Sequence, residues 1–111
     1  MPIPKKTAED RRLKAKSNRK AIIERASVAF KSLSDKNRLH ICLILKDGEK
    51  SVTELEKELG CSQSVVSHHL TILRHTGVVT PRRDGHRSLY SLTSKAIASF
   101  VEHAELISAR P

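Results

Sequence analysis

Two stretches hold the side chains best suited to recognition chemistry. The first is Gln63, Ser64, Ser67, His68 and Thr71; the second is Arg82, Arg83, His86 and Arg87, set around an Asp84-Gly85 pair. Short polar groups at helical spacing can approach base edges and backbone phosphates closely. Guanidinium groups beside a tight turn neutralise phosphates at little desolvation cost. Both sets point to a polyanion. No nucleophile–base pair, paired carboxylates, glycine-rich phosphate loop or metal cage is present, so the chain does not read as an enzyme. His40, His75 and His86 lack metal-ligand spacing, and the adjacent His68 and His69 point about 100° apart on a helix. No metal site and no cofactor are expected.

The first stretch needs a helix that keeps these groups off the core. Ser62 caps it, Val66, Leu70 and Leu73 form the inward stripe, and Gly77 stops it. Before it, Ser51-Val52-Thr53-Glu54 is a capping box that opens a short helix with Val52, Leu55 and Leu59 inward and Gly60 at its end. Two such helices joined through a Gly-Cys-Ser turn read as a helix-turn-helix. The second stretch needs a hairpin. Val78-Val79-Thr80 and Ser88-Leu89-Tyr90-Ser91-Leu92 are β-compatible, and Asp84-Gly85 between them predicts a turn with both residues at positive φ. Pro81 predicts an edge position or a bulge.

Upstream, Ser34 or Asp35 caps a helix running to about Lys46. It is apolar nearly all round, through Leu39 and the run Ile41–Leu45, so it is the expected central helix. A stripe of Ile22, Ile23, Ala26, Ala29, Phe30 and Leu33 predicts an earlier helix. Thr93 or Ser94 caps a last helix with Ile97, Phe100, Val101, Ala104 and Ile107 inward. The order is helix, helix, helix-turn-helix, hairpin, helix. This mainly α chain with a small β-hairpin is a winged helix-turn-helix, with the fourth helix in the major groove and the hairpin tip on flanking phosphates or the minor groove.

Length and charge bound the rest. The 111 residues allow one domain. The formal charge is +9, and 38% of residues are apolar with no Trp. Residues 1–20 carry eight basic and two acidic side chains. They are read as a basic N-terminal arm or exposed helix extension, opened by a loose Met1–Lys6 with Pro2 and Pro4 and by a capping box at Thr7-Ala8-Glu9-Asp10. Residues 21–111 are the winged helix-turn-helix domain. The five-residue run Ile41–Leu45 is the longest apolar one, too short for a membrane span, and no hydrophobic segment follows the N-terminal basic residues. Two cysteines without a pairing framework do not suggest a secreted scaffold. The expectation is a soluble, cytoplasmic protein whose partner is double-stranded DNA, with no membrane association. The competing reading is a non-specific or architectural nucleic-acid binder. Preference for one palindrome over random DNA separates the two.

Several segments together resemble the ArsR/SmtB winged-helix repressors. They are Phe30-Lys31-Ser32-Leu33-Ser34-Asp35 with Arg38-Leu39, Ser51-Val52-Thr53-Glu54-Leu55, Ser62-Gln63-Ser64-Val65-Val66-Ser67-His68-His69-Leu70, Leu73-Arg74, Gly77-Val78-Val79, Arg83-Asp84-Gly85 and Tyr90-Ser91-Leu92. The likeness runs from about residue 28 to 93. It implies a homodimer built from the first and last helices that represses an operon from a palindromic operator and leaves it when an inducer binds. The stripes at Ile22, Ile23, Phe30, Ile97, Phe100, Val101 and Ala104 supply such an interface, because one small core cannot cover both outer helices.

The resemblance does not identify the inducer. A family thiolate site would need a cysteine cluster near Val52–Leu55, where the chain has none. A family zinc-type site on the last helix finds only Glu102, His103 and Glu105, without the acid and histidine expected near its start, and tetrahedral metal needs at least three good ligands. The sequence leaves open whether these three converge from two protomers across a dimer axis. A family dithiol switch needs a second cysteine on the last helix. Cys42 reads as a small core residue, and Cys61, in the helix-turn-helix turn, is the thiol whose oxidation the sequence leaves open.

Overall fold

The computed structural model describes residues 5–107, the side chains of Glu105 and Ile107 excepted. Pro2 and Pro4 of the expected loose arm lie outside the described residues. The elements are α1 (Ala8–Ser32), α2 (Lys36–Lys46), β1 (Lys50–Ser51), α3 (Val52–Leu59), α4 (Gln63–His75), β2 (Val79–Asp84), β3 (Arg87–Leu92) and α5 (Lys95–Ile107). This is the winged helix-turn-helix that the sequence predicts, mainly helical with one small antiparallel sheet.

Each helix starts where a side chain can take up its orphan amides. Thr7 and Asp10 form a reciprocal capping box on α1. Asp35, not Ser34, caps α2, its carboxylate accepting from the Asn37 and Arg38 amides at 2.8 and 3.1 Å. Ser51 and Glu54 box α3, and Ser62 caps α4. Ser94 accepts from the Ala96 amide at the start of α5, while the Thr93 hydroxyl donates to the Gly77 carbonyl. Gly60 ends α3 at φ 68°, a left-handed geometry that a side chain would strain.

The core sits where α2, α3, α4 and the base of the hairpin meet. Ile41, Cys42, Leu55, Val66 and Leu73 are fully buried there, with Val78, Val79 and Leu70 beside them. Leu43 breaks the expectation of an all-buried α2 and faces outward. Tyr90, Leu92, Ile97 and Phe100 pack against this core half-buried.

The sheet has the order β1-β3-β2, all antiparallel. β1 was not expected. It is only two residues long, pairing Lys50 with Tyr90 and Ser51 with Leu89, too short to carry an alternating pattern. β2 is an edge strand and pairs without a bulge from Val79–Leu92 to Asp84–Arg87, so Pro81 sits where no amide is needed. The turn differs from expectation by one residue. Its two loop residues are Gly85 and His86, and only Gly85, at φ 63°, is left-handed. Asp84 instead ends the strand opposite Arg87. A glycine at the first central position is the requirement of a type II′ turn, which matches strand twist as well as the Asp-Gly form does.

α1 continues through residue 20 without a break, so the basic stretch and the apolar stripe share one helix about 37 Å long. Only its C-terminal end touches the core. The radius of gyration is 19.0 Å, against about 13 Å for a compact chain of this length. Ile22, Ile23 and Phe30 remain 57%, 63% and 54% exposed.

Candidate nucleic-acid interface

α4 divides its surface by helical period. Val66, His69, Leu70 and Leu73 are buried, and Ser64, His68, Thr71 and His75 run in a row along the opposite side. Gln63 and Ser67 flank that row, Gln63 exposed and Ser67 half-buried. The Thr71 hydroxyl donates to the Ser67 carbonyl of its own helix at 2.9 Å, which leaves its oxygen and methyl outward. Arg74 and His75 continue the exposed face in the last turn. They were not among the expected site residues, although their spacing from Ser67 and Thr71 was the available signal.

The wing stands beside this helix. A cleft of about 510 Å³ separates the start of α3 from the hairpin and is lined by Thr53, Gln63, Arg83, His86, Arg87 and Tyr90 among others. Of the two predicted stretches, Gln63 from the first and Arg83, His86 and Arg87 from the second line this opening. The four wing side chains are not equivalent, however. Arg82 forms a bidentate pair with Glu49, Nε to Oε2 at 2.8 Å and a terminal nitrogen to Oε1 at 2.6 Å. That pair holds the Glu49 carboxyl below its ordinary range and pushes the guanidinium up. Arg87 lies 3.4 Å from Asp84 and 3.9 Å from Glu54. Arg83 makes one long contact of 3.5 Å to the Gly85 carbonyl, and His86 is exposed at the tip. Glu54, on the cleft wall, lies below its ordinary range chiefly because the Ser51 amide donates to it.

The opposite side of the molecule carries the residues considered for dimerisation and sensing. Phe30 and Phe100 pack in a tilted pair with ring centroids 5.2 Å apart and planes at 41°, joining α1 to α5. Ile97 and Phe100 are half-buried, Ala104 likewise, and Val101 is buried in its own protomer's core. Val101 therefore has little surface left to give a partner. Glu102 pairs with Lys46 at 3.0 Å, and the His103 Nδ1 lies 2.7 Å from the Ser99 carbonyl, to which only a protonated Nδ1 can donate. Among the described residues no three His, Cys, Asp or Glu side chains come together as a metal set. Glu102 and His103 each hold a partner within the protomer, and the Glu105 side chain lies outside the described residues. Cys42 is buried, and burial pushes its thiol up to about 11. Cys61 is half-buried and lies 3.8 Å from the Leu59 carbonyl.

A fold of this order, with an exposed polar helix face beside a basic wing, defines a winged helix-turn-helix DNA-binding protein. Among the described residues no helix is long and apolar enough to cross a membrane. The family model described as "Bacterial regulatory protein, arsR family" matches residues 35–80, from the α2 cap to the second residue of β2. The transcriptional activator HlyU of Vibrio cholerae is 37% identical over 78 residues, covering 70% of this chain and 72% of that protein. The structure of reduced HlyU from the same organism superposes with a TM-score of 0.73 at 31% identity, covering 84% of this chain and 98% of that one. The transcriptional repressor BigR from Xylella fastidiosa gives 0.73 at 30% identity, covering 86% and 98%. The chain belongs to the ArsR family. It is a DNA-binding transcriptional regulator, not an enzyme.

Proposed function

We propose that the chain binds a palindromic operator as a two-fold homodimer and represses transcription by occupying it. The observation that carries this reading is the row Ser64, His68, Thr71 on α4, facing outward beside a wing whose Arg83 is not committed to a carboxylate. In this reading Gln63, Ser64, Ser67, His68 and Thr71 meet base edges and nearby phosphates in the major groove. Arg83, His86 and Arg87 meet the flanking backbone. Arg82 contributes mainly by fixing the wing through Glu49.

The dimer rests on the exposed apolar stripe of α1. Fully burying a side chain such as Ile22, Ile23 or Phe30 contributes about 1.5–3 kcal/mol, and all three remain more than half exposed in the protomer. α5 completes the surface through Phe100 and Ala104. Relatives include an activator and a repressor, and the sign of regulation depends on where the operator lies relative to the promoter. Repression is the reading adopted, and release by an inducer is part of it, although no inducer is identified. Selection of bound sequences from a random DNA pool tests the reading. A single palindrome preferred over random duplex by orders of magnitude is expected. Enrichment of no sequence would overturn it in favour of an architectural binder.

A further inference from the structure

We infer that His69 is a positioning residue for DNA reading, pinning α4 to the corner between α1 and α2. The inference rests on the proposed role of α4 as the reading helix. His69 follows His68 directly but points the other way and is only 8% exposed. It is the one polar side chain among the buried residues of α4.

Its partners explain the choice. A terminal nitrogen of Arg38 lies 3.4 Å from His69 Nδ1. Arginine can only donate, so Nδ1 must present its lone pair and the ring proton must sit on Nε2. Nε2 lies 3.9 Å from the Asp35 carboxylate, near enough for attraction to its N–H but longer than a hydrogen bond. Asp35 is itself committed as the cap of α2, and the Arg38 Nε donates to the Ser32 carbonyl at the end of α1. One imidazole on α4 thus meets the cap of α2 and a guanidinium that holds the last turn of α1. A second tie lies farther along. Thr76, the residue that closes α4, shares a hydroxyl–hydroxyl hydrogen bond with the buried Ser32 at 2.8 Å and also lies 2.9 Å from the Ile72 carbonyl. No buried side-chain donor or acceptor among the described residues is left without a partner.

Two attachments fix both the axial position and the rotation of a helix. Apolar packing alone tolerates small rotations, because neighbouring ridges and grooves are similar. A small rotation of α4 would carry Ser64, His68 and Thr71 away from the base edges together, with no base contact having been mutated. His69 therefore acts on recognition through the placement of its neighbours.

The test uses the full chain with His69→Ala, His69→Gln and Thr76→Val. Affinity is measured on the selected palindrome and on random duplex, and amide exchange is followed along α4. His69→Ala is expected to reduce the ratio of the two affinities by about tenfold or more, the scale of one lost base contact, with binding to random duplex nearly unchanged. Exchange should quicken across α4 and not across α3. His69→Gln, whose amide can both accept from Arg38 and donate toward Asp35, should recover most of the ratio. Thr76→Val should lower the ratio by a smaller factor, and it carries the test if His69→Ala does not fold. An unchanged ratio in the folded variants overturns the inference, even if thermal stability falls. If the unaltered chain shows no preference for any palindrome, the palindromic-operator reading fails; the exchange pattern then still decides whether the tether exists.

Discussion

The unequal wing arginines make a quantitative prediction. Arg83 and Arg82 are neighbours of the same charge, yet Arg82 is held bidentately by Glu49 and Arg83 touches only a carbonyl at 3.5 Å. Each phosphate contact contributes about 0.9 to the log–log slope of affinity against salt. A dimer presents Arg83 twice, so Arg83→Ala should flatten the slope by about 1.8. Between 50 and 200 mM salt, about 0.6 of a decade, that closes the gap between variant and parent by roughly twelvefold. Arg82→Ala should flatten it by less than half as much, since its charge is already offset. Glu49→Gln should leave the slope unchanged or make it steeper by freeing Arg82. Fluorescence anisotropy on operator DNA over a salt series reads all three. Equal flattening by Arg82→Ala and Arg83→Ala would show that the Glu49 pair opens on DNA, and the reasoning from the unbound geometry would fail.

Other consequences can be checked separately. Phe100→Asp places a charge against Phe30 and should yield monomers by light scattering with a large loss of operator affinity; a dimer with full affinity would show that α5 is not the interface. With its thiol near 11, Cys42 is about 0.1% thiolate at pH 8. Titration with a thiol reagent should therefore find one accessible group, Cys61, until the chain is unfolded. Leu55→Ala empties a fully buried site and should cost about 2–5 kcal/mol in denaturant unfolding. The Glu49 carboxyl lies below its ordinary value when folded, so the Arg82 pair is complete above the unfolded carboxyl's range and is lost as pH falls through the folded one. Protection of the β2 amides, taken relative to the intrinsic exchange rate at each pH, should fall on acidification in the parent and show no such step in Glu49→Gln.

The fold was largely legible because its boundaries are marked by chemistry. Thr7, Ser51, Ser62 and the glycines at 60 and 77 state where helices begin and end, and α4 carries a clean stripe of Val66, Leu70 and Leu73. What escaped has physical reasons. β1 is two residues held by pairing with β3, a tertiary fact with no local pattern. The turn moved from Asp84-Gly85 to Gly85-His86 because strand register, not the dipeptide, decides which residues span it. The commitment of Arg82 to Glu49 joins positions 33 apart in sequence, and charge counting treats the wing arginines alike. His69 was legible as a histidine beside another histidine, and its task depends on Arg38 and Asp35, which only the folded corner brings to it.

The long first helix has a further consequence. A helix whose apolar side faces water is marginal by itself, whatever its caps. In the proposed homodimer its ordering is linked by mass action to how much of the chain is present. Dilution would loosen α1 from its free end inward and, through Ser32, slacken the corner that holds α4. Operator occupancy would then rise more steeply than in proportion to protein concentration, so the abundance of the chain becomes an input to its own output, independent of any small molecule.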